Sequence, residues 1–129
     1  MLKHDSVEHV DHVELDGDMV DVCKVHFKAG KAWEDKRVHL HIKDGCKFVK
    51  EAEESIYDVI IQDSSDPWEF ESGEKKTLPS SVLFTEEHFE RIHRILTPNG
   101  IFNFQVCTTL MILKYRSVVR NSCMRRSHI

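Results

Sequence analysis

Residues 57–63 read YDVIIQD, and the centre of that run, Val59, Ile60 and Ile61, is apolar without interruption. A strand that alternates apolar and polar residues rests one face on a core, whereas a run that is apolar at every position calls for cover on both faces. Inner strands of a parallel sheet packed between helices have this character, so the flanking sequence has to supply both helices and partner strands. It contains patterns for each. HVDHVELD, residues 9–16, places Val10, Val13 and Leu15 on a strand that closes on Glu14 and Asp16. After Gly17, the residues Met19, Val20, Cys23, Val25 and Phe27 recur at three- and four-residue intervals, the spacing of an amphipathic helix. A polar connection over Gly30 to Lys36 leads into RVHLHI, where Val38, Leu40 and Ile42 alternate strictly before the turn Asp44-Gly45. CKFVKEAEE then has the composition of a short helix.

Residues 64–82 contain Pro67, Gly73, Pro79 and many charges, which predicts a long loop of the kind that serves as a lid. Thr85 has the character of an N-cap, with Glu86 and Glu87 in the favoured first turn and Phe89, Ile92, Ile95 and Leu96 along one face. The turn TPNG ends that helix, and IFNFQ forms a fourth strand. Strands alternating with helices at this spacing predict an α/β fold, a mostly parallel sheet with helices on both faces. In such sheets ligands bind outside the carboxyl ends of the strands. Each predicted strand here ends in a polar group: Glu14 and Asp16, then Asp44, then Asp63, then Gln105.

Several function classes are not favoured. A chain of 129 residues is about one domain or part of one, and no apolar run approaches the roughly 20 residues of a membrane helix. The opening MLKHDSVEHVDHVELD has neither the apolar centre of a signal peptide nor the arginine-rich character of a transit peptide, so a cytoplasmic location is expected. Cys23, Cys46, Cys107 and Cys123 form no CxxC pair, and the nine histidines include no HExxH, so no metal is expected. No Asp or Glu follows Glu90, yet seven Lys and Arg do. The basic stretch Lys114 to Arg126 lacks interleaved aromatics and reads as a solvated end rather than a nucleic-acid surface.

Taken together, these residues resemble the polyamine aminopropyltransferases, the family of spermidine synthase and its spermine and thermospermine relatives. VELDGDMVDVCKVHF is similar to the family's acidic strand and following helix, IKDGCKFV to its DG motif, YDVIIQDSSDP to its catalytic signature, and VLFTEEHFERIHRILTPNGIFNFQ to its next helix and strand. The similarity runs over about residues 5–105, with extra sequence between Pro67 and Leu83. It implies a Rossmann-like core of the methyltransferase type. It also implies transfer of an aminopropyl group from decarboxylated S-adenosylmethionine, a co-substrate, to putrescine or a related polyamine, without metal or prosthetic group, in a family that commonly assembles as a homodimer. By position, Glu14 matches the acid that holds the ribose hydroxyls, Asp44 and Gly45 match the positions that receive adenine, and Pro67 falls on the cofactor side. Asp63 matches the general base, while Ser64, Asp66 and Gln105 fall on the amine side. The residue types suit these tasks: a strand-end carboxylate accepts two hydrogen bonds from a diol, and a protonated amine needs a base before it can attack.

The resemblance also has edges. The glycine-rich loop and the strand before it have no counterpart ahead of residue 9, and that strand belongs in the middle of the sheet. An incomplete core over residues 1–105 is therefore expected, followed by a divergent basic tail over 106–129 in which Val106 to Leu113 forms a strand or a helix. Two other readings stand beside the transferase: a methyltransferase-like domain sharing the strand-end acids, and a non-catalytic remnant that associates with a full-length synthase. For Asp63, Ser64, Ser65 and Asp66, a plain turn or capping cluster is the competing explanation.

Overall fold

The computed structural model of the chain describes residues 1–72 and 74–105, so the predicted segment Val106 to Leu113 and the basic tail lie outside the described residues. Two compact units divide the chain, Met1–Phe48 and the unit that begins at Val49.

In the first unit, β1 (Val10–Glu14) pairs in parallel with β2 (Val38–Ile42), Val10 opposite Val38 and Glu14 opposite Ile42. Helix α1 (Gly17–His26) starts where Asp16 Oδ1 accepts the backbone N–H groups of Asp18 at 3.0 Å and Met19 at 3.2 Å, satisfying two of the donors a helix start leaves open. The polar connection expected over Gly30 to Lys36 is largely ordered as a 3-10 helix, Lys28–Glu34. Trp33 explains the difference, because its indole N–H donates to His12 Nδ1 at 2.7 Å and its ring stacks on that imidazole. The apolar face predicted for α1 is mostly uncovered: Val20 is buried, but Met19, Val25 and Phe27 are more than half exposed. Arg37 ties down the N-terminal segment, donating to the carbonyls of Leu2, His4 and Val7 while paired with Asp35 at 2.7 Å.

Helix α2 (Gly45–Glu51) leads into the second unit, where β3 (Tyr57–Gln62) pairs in parallel with the last strand, Leu96–Phe104. The predicted long loop 64–82 is corrected. It folds into an antiparallel hairpin, β4 (Trp68–Glu71) and β5 (Glu74–Thr77), followed by a 3-10 helix at Pro79–Phe84. A two-residue link joins Glu71 to Glu74 with Ser72 at a φ of 54°, and Lys75 Nζ stands 3.7 Å over the Trp68 ring. Charge content hid this hairpin, because Glu69 of β4 and every residue of β5 are exposed.

Helix α3 (Glu86–Ile95) is capped by Thr85, whose Oγ1 accepts the His88 N–H at 3.3 Å. Ile92, Ile95 and Leu96 bury with Val49 against Tyr57, Ile60 and Phe102, while Phe84 and Phe89 form a second cluster with Trp68, Phe102 and Phe104. Each such side chain contributes roughly 1.5–3 kcal/mol on burial. The TPNG segment does not separate helix from strand as expected. It lies inside β6 (Leu96–Phe104), bulging between the pairs Tyr57–Leu96 and Val59–Ile101. Gly100 makes that bulge fit, since a Cβ there would come 3.0 Å from the Tyr57 carbonyl and 3.1 Å from that of Thr97.

One further expectation changes. Among the described residues β3 is covered on one face: Ile60 packs inward, whereas Val59 and Ile61, with Ile101 of β6, are 45–63% exposed. As expected of an incomplete core, the parallel strands form two separate two-stranded sheets, β1–β2 and β3–β6. Among the described residues no helix is long and apolar enough to cross a membrane.

Candidate functional site

The strand-end residues separate into two pairs, one in each unit. In the first, Lys43 N–H donates to the Glu14 carbonyl at 2.9 Å, which brings the end of β1 level with the end of β2. Glu14 and Asp44 therefore leave the same end of a parallel pair. Glu14 is half-buried and its Oε1 accepts the Asp16 N–H at 2.9 Å. Asp44 is exposed and caps α2, its Oδ1 accepting the Lys47 N–H at 3.0 Å. A Cβ built on Gly45 meets no atom within 4 Å, so the first turn of α2 has an open side next to its backbone.

In the second unit, the Gln105 N–H donates to the Gln62 carbonyl at 3.1 Å, so Asp63 and Gln105 stand side by side at the carboxyl ends of β3 and β6. Asp63 is exposed and Asp66 half-buried, and among the described residues neither carboxylate engages a hydrogen-bond or ion-pair partner. This bears on the turn reading. Carboxylates that shape the backbone of this chain do so visibly: Asp16 binds two N–H groups of α1, Asp35 binds that of Arg37, and Asp44 binds that of Lys47. Asp63 and Asp66 do none of this.

Instead, the loop they occupy is fastened by other atoms. Gln62 Nε2 donates to the Leu83 carbonyl at 3.2 Å and lies 3.5 Å from Ser64 Oγ, while Gln62 Oε1 is 3.0 Å from His88 Nε2. Ser80 Oγ donates to the Asp66 carbonyl, and Leu78 N–H donates to that of Pro67 at 2.9 Å. Pro67 itself is fully buried. Segment 78–88 thus holds the stretch 62–67 at several points without engaging either carboxylate, Asp63 exposed and Asp66 half-buried. Gln62, Ser80 and His88 were not singled out from the sequence; the available signal was a polar residue, His88, placed four before Ile92 on the apolar side of α3.

Outside these pairs, Asp35 is held at a pKa of about 2, chiefly by hydrogen bonds from the side chain of Arg37 and then from its backbone N–H. Asp11 bridges His9 at 3.0 Å and His41 at 2.7 Å. Among the described residues no group of three or more His, Cys, Asp or Glu is arranged to hold a metal ion.

Comparison with known proteins gives a consistent result. The pattern of the spermine/spermidine synthase domain matches residues 1–127. A polyamine aminopropyltransferase of Prochlorococcus marinus (strain MIT 9215) is 39% identical over 106 residues, covering 81% of this chain and 34% of the relative. Spermidine synthase 2 of Arabidopsis thaliana is 41% identical over 107 residues, covering 82% of this chain and 28% of the relative. The chain thus spans about a third of the length of the curated relatives it matches. Among solved structures, a spermidine synthase in complex with the transition-state analogue AdoDATO superposes with a TM-score of 0.74 at 26% identity, covering 99% of this chain and 41% of that one. Human methyltransferase-like protein 13 in complex with SAH gives a TM-score of 0.59 at 26% identity, covering 87% and 49%.

Proposed function

Because this chain belongs to the spermine/spermidine synthase domain family, we propose that it carries the carboxylates of an aminopropyl transfer from decarboxylated S-adenosylmethionine to putrescine or a related polyamine. The observation that carries this reading is the pair Asp63 and Asp66, carried on a fastened loop and unused by the backbone around them. An aliphatic amine with a pKa near ~10 is almost wholly protonated at neutral pH, a deficit of ~3 units or ~4 kcal/mol before it can attack. Asp63 takes that proton as general base, and Asp66, with Ser64 and Gln105 beside the same strand ends, holds the remaining ammonium of the diamine. The amine nitrogen bonds to the aminopropyl carbon next to the sulfonium, the carbon–sulfur bond breaks, and its electron pair returns to sulfur as neutral methylthioadenosine. No covalent intermediate on the chain is needed, so alignment supplies much of the rate.

On the nucleoside side, Glu14 keeps one carboxylate oxygen for its bond to Asp16 and offers the other to the ribose diol. The open side of Gly45 receives the adenine, with Asp44 at its edge, and Pro67 is assigned to cofactor binding by its position in the family signature. The reaction is placed in the cytoplasm. Titration with methylthioadenosine tests the division of labour: binding should be lost in Asp44→Ala and kept in Asp63→Asn. A folded wild-type chain that binds no nucleoside would refute it.

A second reading is favoured by the exposed apolar side of β3 and β6, where Val59, Ile61 and Ile101 are uncovered by described residues. On this reading the chain pairs with a longer member of its own family and does not turn over alone. Co-purification with a full-length synthase, without product from the short chain, supports it; a monomeric chain that forms product refutes it.

A further inference from the structure

Among the described residues, His88 is the buried polar side chain, 3% exposed. An imidazole withdrawn from water costs free energy unless its nitrogens are hydrogen-bonded, and the amine chemistry above makes no use of it. Its position is informative. His88 Nε2 lies 3.0 Å from Gln62 Oε1, and Gln62 is the residue immediately before Asp63. The direction of this bond follows from the third partner. Gln62 places its other amide atom 3.2 Å from the Leu83 carbonyl oxygen, which only accepts, so that atom is the NH2 nitrogen and Oε1 turns to His88. His88 Nε2 therefore bears the hydrogen and donates. The Gln62 side chain is gripped from α3 on one side and from the Pro79–Phe84 helix on the other, while its backbone carbonyl accepts from Gln105.

We propose that His88 is a positioning residue for the transfer reaction, acting through Gln62 to fix the strand end on which Asp63 stands and the loop that carries Asp66. This rests on those two carboxylates receiving the amine. His88 does not touch the substrate; it removes the freedom of the group that does. Misplacement of a reacting group by about 1 Å can cost about 10²-fold, which gives such a clamp its importance.

The test uses the full chain as wild type, His88→Gln and His88→Phe. Glutamine sets an amide N–H roughly where Nε2 was, whereas phenylalanine fills the volume without a donor. Two quantities are read: putrescine affinity by calorimetry with methylthioadenosine present, and hydrogen exchange of the Gln105 amide, which reports fraying of the β3 end. His88→Phe should weaken putrescine about tenfold, the factor one such hydrogen bond carries, and speed Gln105 exchange by at least about tenfold. Methylthioadenosine affinity should stay within about twofold in both variants, and His88→Gln should remain within about threefold of wild type throughout. A folded His88→Phe with unchanged putrescine affinity and exchange overturns the proposal. So does a His88→Gln as impaired as His88→Phe, since the ring and not the donor would then matter. If wild type binds no putrescine, the amine reading itself fails, and Gln105 exchange alone decides whether the clamp exists: faster in His88→Phe and retained in His88→Gln supports it, unchanged overturns it. Should His88→Phe not fold, Gln62→Met removes both the acceptor for His88 and the donor to Leu83 at similar volume, and should weaken putrescine and speed Gln105 exchange by at least the same factors; unchanged values overturn the proposal.

Discussion

Gly100→Ala is the substitution whose cost follows most directly from the geometry. The added methyl would sit 2.9 Å from Leu96 Cδ2, 3.0 Å from the Tyr57 carbonyl oxygen and 3.1 Å from the Thr97 carbonyl oxygen. The first of these is the end of a side chain, but Leu96 is 7% exposed and packed with Ile92 and Ile95, so it cannot swing away freely. The other two are backbone atoms of the two strands whose pairing sets Asp63 beside Gln105. Relief requires the bulge at Thr97–Gly100 to open, which places the cost with other overpacked sites, about 1–3 kcal/mol. Urea denaturation read by fluorescence suits the question, because Trp33 lies in the first unit and Trp68 in the second. In a Trp33→Phe background the Trp68 signal reports the second unit alone. With a slope of about 1 kcal/mol per molar for so small a unit, the midpoint should fall by about 1 M or more. Gly45→Ala is the control, since its Cβ meets nothing within 4 Å; stability there should hold or rise by up to about 1 kcal/mol. A Gly100→Ala midpoint within error of wild type would refute the reasoning.

Other expectations concern pH, capping and the open side of α2. Asp35 has a folded pKa lowered to about 2 from 3.8, so its pairing with Arg37 stabilises the chain above the ordinary carboxylate value and that contribution is lost as pH falls from about 4 toward 2. Trp33 fluorescence should show an acid destabilisation over that window which is missing in Asp35→Asn; identical acid profiles would contradict it. Thr85→Ala removes the hydroxyl that accepts from His88 N–H and donates to the Val82 carbonyl, and should cost about 1 kcal/mol in the Trp68-reported transition. Gly45→Ala, neutral for stability, should still weaken methylthioadenosine binding if adenine lies on that open side; unchanged affinity would remove Gly45 from the site.

The fold class was legible because apolar period and turn chemistry agree along most of the chain: Val38, Leu40 and Ile42 alternate as a strand, and Thr85 with two acidic residues opens α3. The errors have physical causes. Val59 and Ile61 have the pattern of buried residues because a run apolar on both faces expects two layers, and among the described residues only one layer is present. The hairpin at Trp68–Thr77 has the sequence of a loop because charges dominate it, while the pairing that orders it is backbone-made and is held by Trp68 packing on Phe84 and Phe89. For the site, strand ends are visible in sequence, so the neighbouring positions of Asp63 and Gln105 were accessible to pattern reading. The Gln62–His88 bond was not, since it joins residues 26 apart through a contact that neither period nor motif encodes.

The most direct test of the central claim is methylthioadenosine release by the chain supplied with decarboxylated S-adenosylmethionine and putrescine, comparing wild type, Asp63→Asn and the helix-cap variant Asp16→Asn. Release by wild type is expected, with a similar rate for Asp16→Asn at equal folded fraction and a loss of about 10²-fold or more in Asp63→Asn. Release by Asp63→Asn at the wild-type rate, or none from a folded wild type, would contradict it.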